Sequence, residues 1–238
     1  MNVSAKSCNF IELNDIIRSS SEDIIIDDCY GERFIGASQT NKTITINGTP
    51  GNALGAYLDG ANIVVNGNAQ DAVGDTMNDG KIIINGSAGD ALGYAMRGGK
   101  IYVKGNSGYR TGIHMKEYKE KKPVIVVGGN AGSFLGEYLA GGIIIVLGLS
   151  NEGSIVGEFT GTGMHGGEIW LRTDKKPEFL PKQVIVTKAK EADLEKISAH
   201  ISEYAKTFNI DEKEIFNKSF YLLKPNAKNP YKQLYTEN

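Results

Sequence analysis

The stretch GDALGYAMRGGKIYVKG, residues 89–105, sets a small-residue turn, two apolar positions, a Gly-Gly pair and an alternating run one after another. Glycine in regular structure costs roughly 0.5–1 kcal/mol against alanine, so a chain that uses it at fixed intervals needs backbone geometry that other residues do not readily adopt. The interval is nineteen residues. Gly48, Gly67, Gly86 and Gly105 follow one another at that step, and Gly129 and Gly148 continue the column. A second column holds Gly36, Gly55, Gly74, Gly93, Gly112, Gly136 and Gly161, with five extra residues between 112 and 136 and six between 136 and 161. Seven turns share one frame.

Within that frame Leu58, Met77, Met96, Met115, Leu139 and Met164 form an apolar column. Ile44, Ile63, Ile82, Ile101, Ile144 and Ile169 form a second, and Ile46, Val65, Ile84, Val103, Val146 and Leu171 a third two residues on, the alternate positions of one strand. A small residue, Ala61, Gly80, Gly99, Gly142 or Gly167, turns the chain just before each strand. Helical repeats need longer units and good helix formers, whereas this unit has β-branched residues in period-two runs bracketed by glycine. A strand, a connection too short to hold a helix and the same strand again predict a coil whose turns stack as parallel strands. The expected fold is therefore all-β, a parallel β-helix of about seven 19-residue coils. At about 4.8 Å per coil it makes a rod roughly 34 Å long, with both glycine columns at corners where positive φ or close stacking excludes a Cβ.

The flanks divide the chain into an N-terminal cap (1–35), the repeat domain (36–175) and a C-terminal helical tail (176–238). An open stack of parallel strands leaves unpaired backbone at both ends unless something covers it. Asn9 with Glu12 three residues on reads as a helix N-cap, with Leu13, Ile16 and Ile17 on the apolar side, and Ile24–Ile26 as a capping strand. Leu194, Ile197, Ile201, Ala205 and Phe208 recur at helical spacing, predicting an amphipathic helix over 190–208, with a shorter one near 211–217. SFYLLKP and NPYKQLY come after it, apolar enough to pack on the rod or on a partner.

A hydrophobic content of 40% and a charged content of 23% are those of a soluble globular protein. The net charge of -2 provides no basic stripe, which argues against nucleic acid or an anionic membrane as the target. MNVSAKSCNF has no apolar run of signal-peptide length, and Gly142–Leu149 is too short to span a bilayer, so the expected location is cytoplasmic. Cys8 and Cys29 are too few for a disulfide framework and read as reduced, buried thiols.

No motif assembles catalytic, metal-binding or cofactor-binding chemistry. GTGMHG (161–166) matches the dinucleotide fingerprint by letter, but a strand comes after it where a helix is needed, and its glycines are corner positions. His114 and His165 lie two coils apart, about 9.6 Å by stacking alone, too far to share a zinc ion without long reach; His200 lies on the C-terminal helix. Asp71 and Asp90 stack one coil apart beneath Asn52, which reads as a solvated polar ladder rather than the carboxylate pair of a glycosidase. The insertion HMKEYKEKKP (114–123) places a charged loop off the rod, either as a solvated bulge or as a docking element read by a partner through His114, Lys116, Glu117 and Tyr118.

GDTMNDG (74–80), GYAMRGG (93–99), GTGMHGG (161–167), GIHMKEY (112–118) and FLGEYLAGGIIIVLG (134–148) resemble the GXGXG domain at the C-terminus of the glutamate synthase large subunit, which also occurs as a stand-alone subunit. The likeness spans about residues 10–173, and the tail with its helix and FYLLKPNAKNPYKQLY is similar to the segment after that domain in glutamate synthases. The resemblance implies a right-handed β-helix with a structural, non-catalytic role. Its implied partners are an FMN and iron-sulfur subunit, which would carry those cofactors, and a glutaminase subunit. The chain has no N-terminal nucleophilic cysteine and no room for an FMN barrel, so the glutamate synthase reaction would run on the partners. The β-helical subunit of formylmethanofuran dehydrogenase shares the glycine-methionine coils and gives the alternative, also structural. An independent ligand-binding or enzymatic β-helix is the third reading, and self-association into a homo-oligomer stays open.

Overall fold

The computed structural model describes residues 1–149 and 153–226. The chain runs through β1 (Asn2–Ser4), α1 (Phe10–Ser19), β2 (Ile24–Tyr30), β3 (Thr43–Thr49), β4 (Asp59–Asn66), β5 (Asp79–Ile84) and β6 (Lys100–Val103). It continues through β7 (Val124–Val127), β8 (Ala140–Val146), β9 (Gly166–Arg172), β10 (Val184–Lys188), α2 (Glu191–Phe208), α3 (Glu212–Phe216) and β11 (Phe220–Pro225). Strands β2 to β9 pair in parallel, each with the next in sequence, so the fold is a parallel β-solenoid of eight turns.

Ile24, Ile44, Ile63, Ile82, Ile101, Ile125, Ile144 and Ile169 stand in one register and are fully buried, each contributing roughly 1.5–3 kcal/mol by leaving water. The glycine frame counts seven turns, and the stack has one more. Strand β2 is a full coil rather than only a cap, pairing β1 on one side and β3 on the other. Ile125 completes the isoleucine column where the five inserted residues move it away from the glycine that should announce it. Leu58, Met77, Met96, Met115, Leu139 and Met164 fill the interior from the opposite wall, all fully buried. Paired bridges at Ala69, Ala88, Ser107, Ala131 and Val156 close a third side.

Helix α1 lies at the first end. Asn9 accepts from the N–H groups of Ile11 and Glu12 while Glu12 accepts from the N–H of Asn9, and Leu13 and Ile17 are buried in the core of the first coils. At the other end β11 pairs antiparallel with β9, and β10 pairs antiparallel with β11. The tail thus joins the sheet through SFYLLKP; NPYKQLY, and residues 150–152 of the second insertion, lie outside the described residues.

A second core forms outside the solenoid. Tyr102, Val126, Ile145 and Trp170 occupy the outward positions of β6 to β9 and are buried with Ile197, Ile201, Tyr204 and Phe208 of α2. This is why β7 and β8 read as continuous apolar runs while β2 to β4 alternate: only the later strands are covered on both faces. Tyr204 donates its hydroxyl to the Val103 carbonyl at 3.2 Å. The Glu203 carboxylate is held by Lys81, Lys100 and the hydroxyl of Tyr102. Among the described residues no helix is long and apolar enough to cross a membrane.

Candidate functional site

Every coil turns through the same backbone device. At Ala53, Gly55 and Tyr57 φ is +63°, +64° and +57°, so three residues spaced by two are left-handed. Their N–H groups donate alternately to the next coil (Asp71 carbonyl), the previous coil (Ile35 carbonyl) and the next coil again (Asp75 carbonyl). The central residue must be glycine for a second reason, since a Cβ on Gly55 would lie 2.7 Å from the δ-methyl of Ile82. Gly74, Gly93, Gly112, Gly136 and Gly161 repeat the positive φ. The other column differs. Gly48, Gly67, Gly86, Gly105 and Gly129 face a backbone carbonyl of the preceding coil, and Gly148 faces Ile155.

On either side of the central glycine the left-handed positions are filled by large side chains in the later coils: Arg110, Phe134 and Phe159 two residues before it, His114 and Tyr138 two residues after. A bulky residue at positive φ is an outlier costing on the order of 1–3 kcal/mol, which glycine would not incur. The chain uses glycine in the same column at Gly163, whose missing Cβ leaves space beside the Tyr138 ring. The retained side chains make an ordered ladder on one flank. His114 stacks on Tyr138 at 5.1 Å and meets the edge of Tyr94 at 5.9 Å. Phe134 stacks on Phe159 at 4.9 Å, and Arg110 lies over Phe134 at 4.9 Å while pairing with Glu137 at 3.2 Å. Tyr94, Tyr109, Arg110, His114 and Phe159 are exposed.

The inserted loop takes a different course from the sequence expectation. Instead of leaving the rod, it folds back along it. Tyr118 and Lys121 exchange two backbone hydrogen bonds, and Lys121 reaches Asp79 at 3.0 Å and Asp59 at 3.4 Å, on earlier coils. The bond to Asp79 raises the Lys121 ammonium. Burial by itself would raise the Asp79 carboxyl, but Lys121 and the Gly80 N–H together hold it below its ordinary range. Glu117 accepts from the Gly142 N–H at 3.1 Å and pairs with Lys122 at 3.7 Å. Lys116 and Tyr118 are exposed, and His114 belongs to the aromatic ladder rather than to the loop.

The remaining candidates are structural in geometry. Asp71 accepts from the N–H of Asp90 at 2.8 Å, and Asp90 from the N–H of Tyr109 at 2.8 Å, so each carboxylate binds the backbone of the next coil. Asn68, Ser87 and Asn106 form a parallel series. His165 Nδ1 lies 3.2 Å from the Gly163 carbonyl. His200 is half-buried, and burial first and Lys100 second push its imidazole below the ordinary range. Among the described residues no three His, Cys, Asp or Glu side chains converge as metal ligands. Cys29 is buried, which pushes its thiol up to about 12, and Cys8 is half-buried. Sequence reasoning missed the aromatic ladder. Its signal was present, two residues to either side of each glycine in the second column, but only positive φ explains why a tyrosine or phenylalanine there stands out.

Compared with known proteins, the family described as GXGXG motif matches residues 14–226. The uncharacterized protein MJ1350 of Methanocaldococcus jannaschii is 43% identical over 249 aligned residues, covering 98% of this chain and 95% of that one. A chain in the crystal structure of the formyltransferase/hydrolase complex (FhcABCD) from Methylorubrum extorquens, in complex with methylofuran, has the same fold. It superposes with a TM-score of 0.62 at 20% identity, over 85% of this chain and 72% of that one.

Proposed function

The chain belongs to the GXGXG motif family, and from that premise we propose that it is a structural subunit of a multi-subunit enzyme, a stiff rod against which catalytic chains are held. The observation that carries this reading is the flank of Tyr94, Arg110, His114, Phe134, Tyr138 and Phe159, where large side chains stand at positive φ or stack on those that do. Tyrosine, phenylalanine and arginine are enriched where protein surfaces meet, and they dominate binding energy there. The interior is filled by aliphatic side chains from Ile24 to Ile169, so what the rod offers a partner lies on its outside.

The similar solved structure belongs to a complex described with methylofuran, and this supports a rod in an assembly of the formylmethanofuran dehydrogenase type. A second reading, a glutamate synthase type complex, rests on the resemblance of the tail's sequence to the segment after the β-helix in glutamate synthases; in this chain α2 lies in the outer core and the FYLLKP strand in the sheet. In that case an FMN and iron-sulfur subunit and a glutaminase subunit are the partners and hold the cofactors.

Affinity purification from native extract, with mass spectrometry of the retained proteins, separates these readings. A molybdenum or tungsten protein supports the first, and an FMN protein with a glutaminase supports the second. Turnover by the purified chain alone, or saturable binding of flavin or glutamine to it, would replace the structural reading with a catalytic or ligand-binding one.

A further inference from the structure

The two ends of the sheet are finished differently. At the first, β1 is three residues long and pairs with β2, and α1 buries Leu13 and Ile17 in the core of the first coils. At the last stands β10, VIVTK, with β11 on one edge and no strand on the other among the described residues. Gln183 accepts from the N–H of Asn226, and Ala189 donates to the Phe220 carbonyl, which fixes the phase of the ladder: Gln183, Ile185, Thr187 and Ala189 turn their backbone groups toward β11. The N–H and C=O of Val186 and Lys188 therefore face outward. Lys188 shares the face on which Val184 and Val186 pack toward the core and sets a charge at one end of this edge, but no bulge or proline interrupts it.

The loop that leads into β10 lines a cavity of about 670 Å³ whose apolar wall includes Ile155, Phe159, Leu171, Phe179 and Leu180; β10 itself does not line it, and only the start of the strand, where Val184 packs on Gly161, comes near. Phe179 is 95% exposed at the cavity's rim. The loop and strand carry Lys175, Lys176, Lys182 and Lys188 against Asp174 and Glu178, a basic end on a chain of net charge -2, and Lys190 follows at the start of α2 beside Glu191 and Asp193. All five lysines are exposed, and none forms an ion pair among the described residues.

We infer that the free edge of β10 is a strand-docking site, and that its occupant is an extended, acidic segment of a partner chain whose apolar side chain enters the adjoining cavity. Backbone bonds to Val186 and Lys188 supply affinity, and the cavity and lysines supply selection, the division of labour found where a peptide adds to a sheet edge. Charge decides among occupants. A second copy paired edge to edge would bring its own lysines against these five, whereas an acidic segment neutralises them. The partner is the catalytic chain of the structural-subunit reading, on which this inference rests for the identity of the occupant but not for the existence of the site.

The test uses the full chain and a fluorescein-labelled heptapeptide of alternating glutamate and valine with a central phenylalanine, followed by anisotropy. Saturable binding is expected, weakening with salt and at least tenfold weaker for the same peptide with lysine in place of glutamate. V186P removes an outward N–H and leaves the bonds to β11 in place, since proline is tolerated on an edge strand; it should weaken binding at least tenfold. K182E/K188E keeps the edge intact and should have a similar effect. Equal binding of both peptides, or no change with V186P, overturns the inference. So does hydrogen-exchange protection of the Val186 and Lys188 amides in the isolated chain, which would place its own residues or a second copy on the edge. Failure here leaves the co-purification result for the structural role untouched, so the two can fall separately.

Discussion

The δ-methyl carbon of Ile82 lies 2.7 Å from the point at which Gly55 would carry a Cβ, one coil apart in sequence and in contact across the interior. The isoleucine column and the glycine column are therefore one packing unit. Gly55→Ala incurs a left-handed backbone with a Cβ, about 1–2 kcal/mol, and an overpacked contact, about 1–3 kcal/mol. We expect a loss of about 3 kcal/mol in urea denaturation. Ile82→Val removes the offending methyl, so the double variant should recover about 1 kcal/mol relative to the sum of the two single changes. Strict additivity would mean that the backbone alone demands glycine.

Asp90 tests whether the carboxylate ladder is structural. Its side chain accepts from the Tyr109 N–H at 2.8 Å on an exposed surface. Asp90→Ala should cost about 1 kcal/mol, the worth of one such bond, whereas Asp90→Asn keeps an acceptor oxygen and should lie within about 0.5 kcal/mol of the parent. A large loss with asparagine would show that the charge, not the hydrogen bond, is what the site uses.

The docking of α2 should weaken in acid. Burial alone would raise the Glu203 carboxyl, but Lys100, Lys81 and Tyr102 overcome it and hold it down to about 2, against an ordinary 4.5. A group whose folded value is depressed contributes stability that is fully present above its unfolded value and is lost as pH falls through the folded one. The outer core should therefore loosen between about pH 4.5 and pH 2. Trp170, the only tryptophan, shares that core and reports the change by its emission. Glu203→Gln should bring the loss to neutral pH and flatten the acid response, at a cost of about 2 kcal/mol for a half-buried ion pair.

The folded-back loop predicts a local effect. Lys121→Met removes both ion pairs to Asp59 and Asp79, each between largely exposed side chains. Global stability should change by less than about 0.5 kcal/mol. Hydrogen exchange at the Tyr118 and Lys121 amides, which bond each other's carbonyls, should accelerate roughly tenfold.

How far the sequence discloses this molecule depends on whether a signal is carried by one residue or by many. The solenoid is legible because each coil repeats its glycine, its small residue and its isoleucine at one spacing. The Asn9–Glu12 cap and the helix over 190–208 are legible from local pattern alone. Ile125 escaped the frame because an insertion shifts it, and β10 and β11 because VIVTK and FYLLKP are short apolar runs whose partners are distant in sequence. The aromatic ladder needs the backbone conformation at its positions, which no letter of the sequence states, and the loop's return along the rod depends on Lys121 finding carboxylates some forty to sixty residues away.

Arg172 shows how the tail is fastened to the last coil, and it gives the severest expected loss. Its buried guanidinium donates to the carbonyls of Ile215 at 2.6 Å, Leu147 at 3.0 Å and Glu214 at 2.8 Å, and to Asn217 Oδ1 at 2.7 Å. Two of these carbonyls belong to the last turn of α3, which has no partners within the helix for them. Arg172→Met leaves several buried acceptors unpaired and should cost about 3–4 kcal/mol, with α3 amides exchanging early. Arg172→Lys keeps a charge but cannot span four acceptors set out for a planar fork, so it should restore less than half of the loss. Full rescue by lysine would mean that the positive charge, rather than the geometry of the guanidinium, holds the tail to the rod.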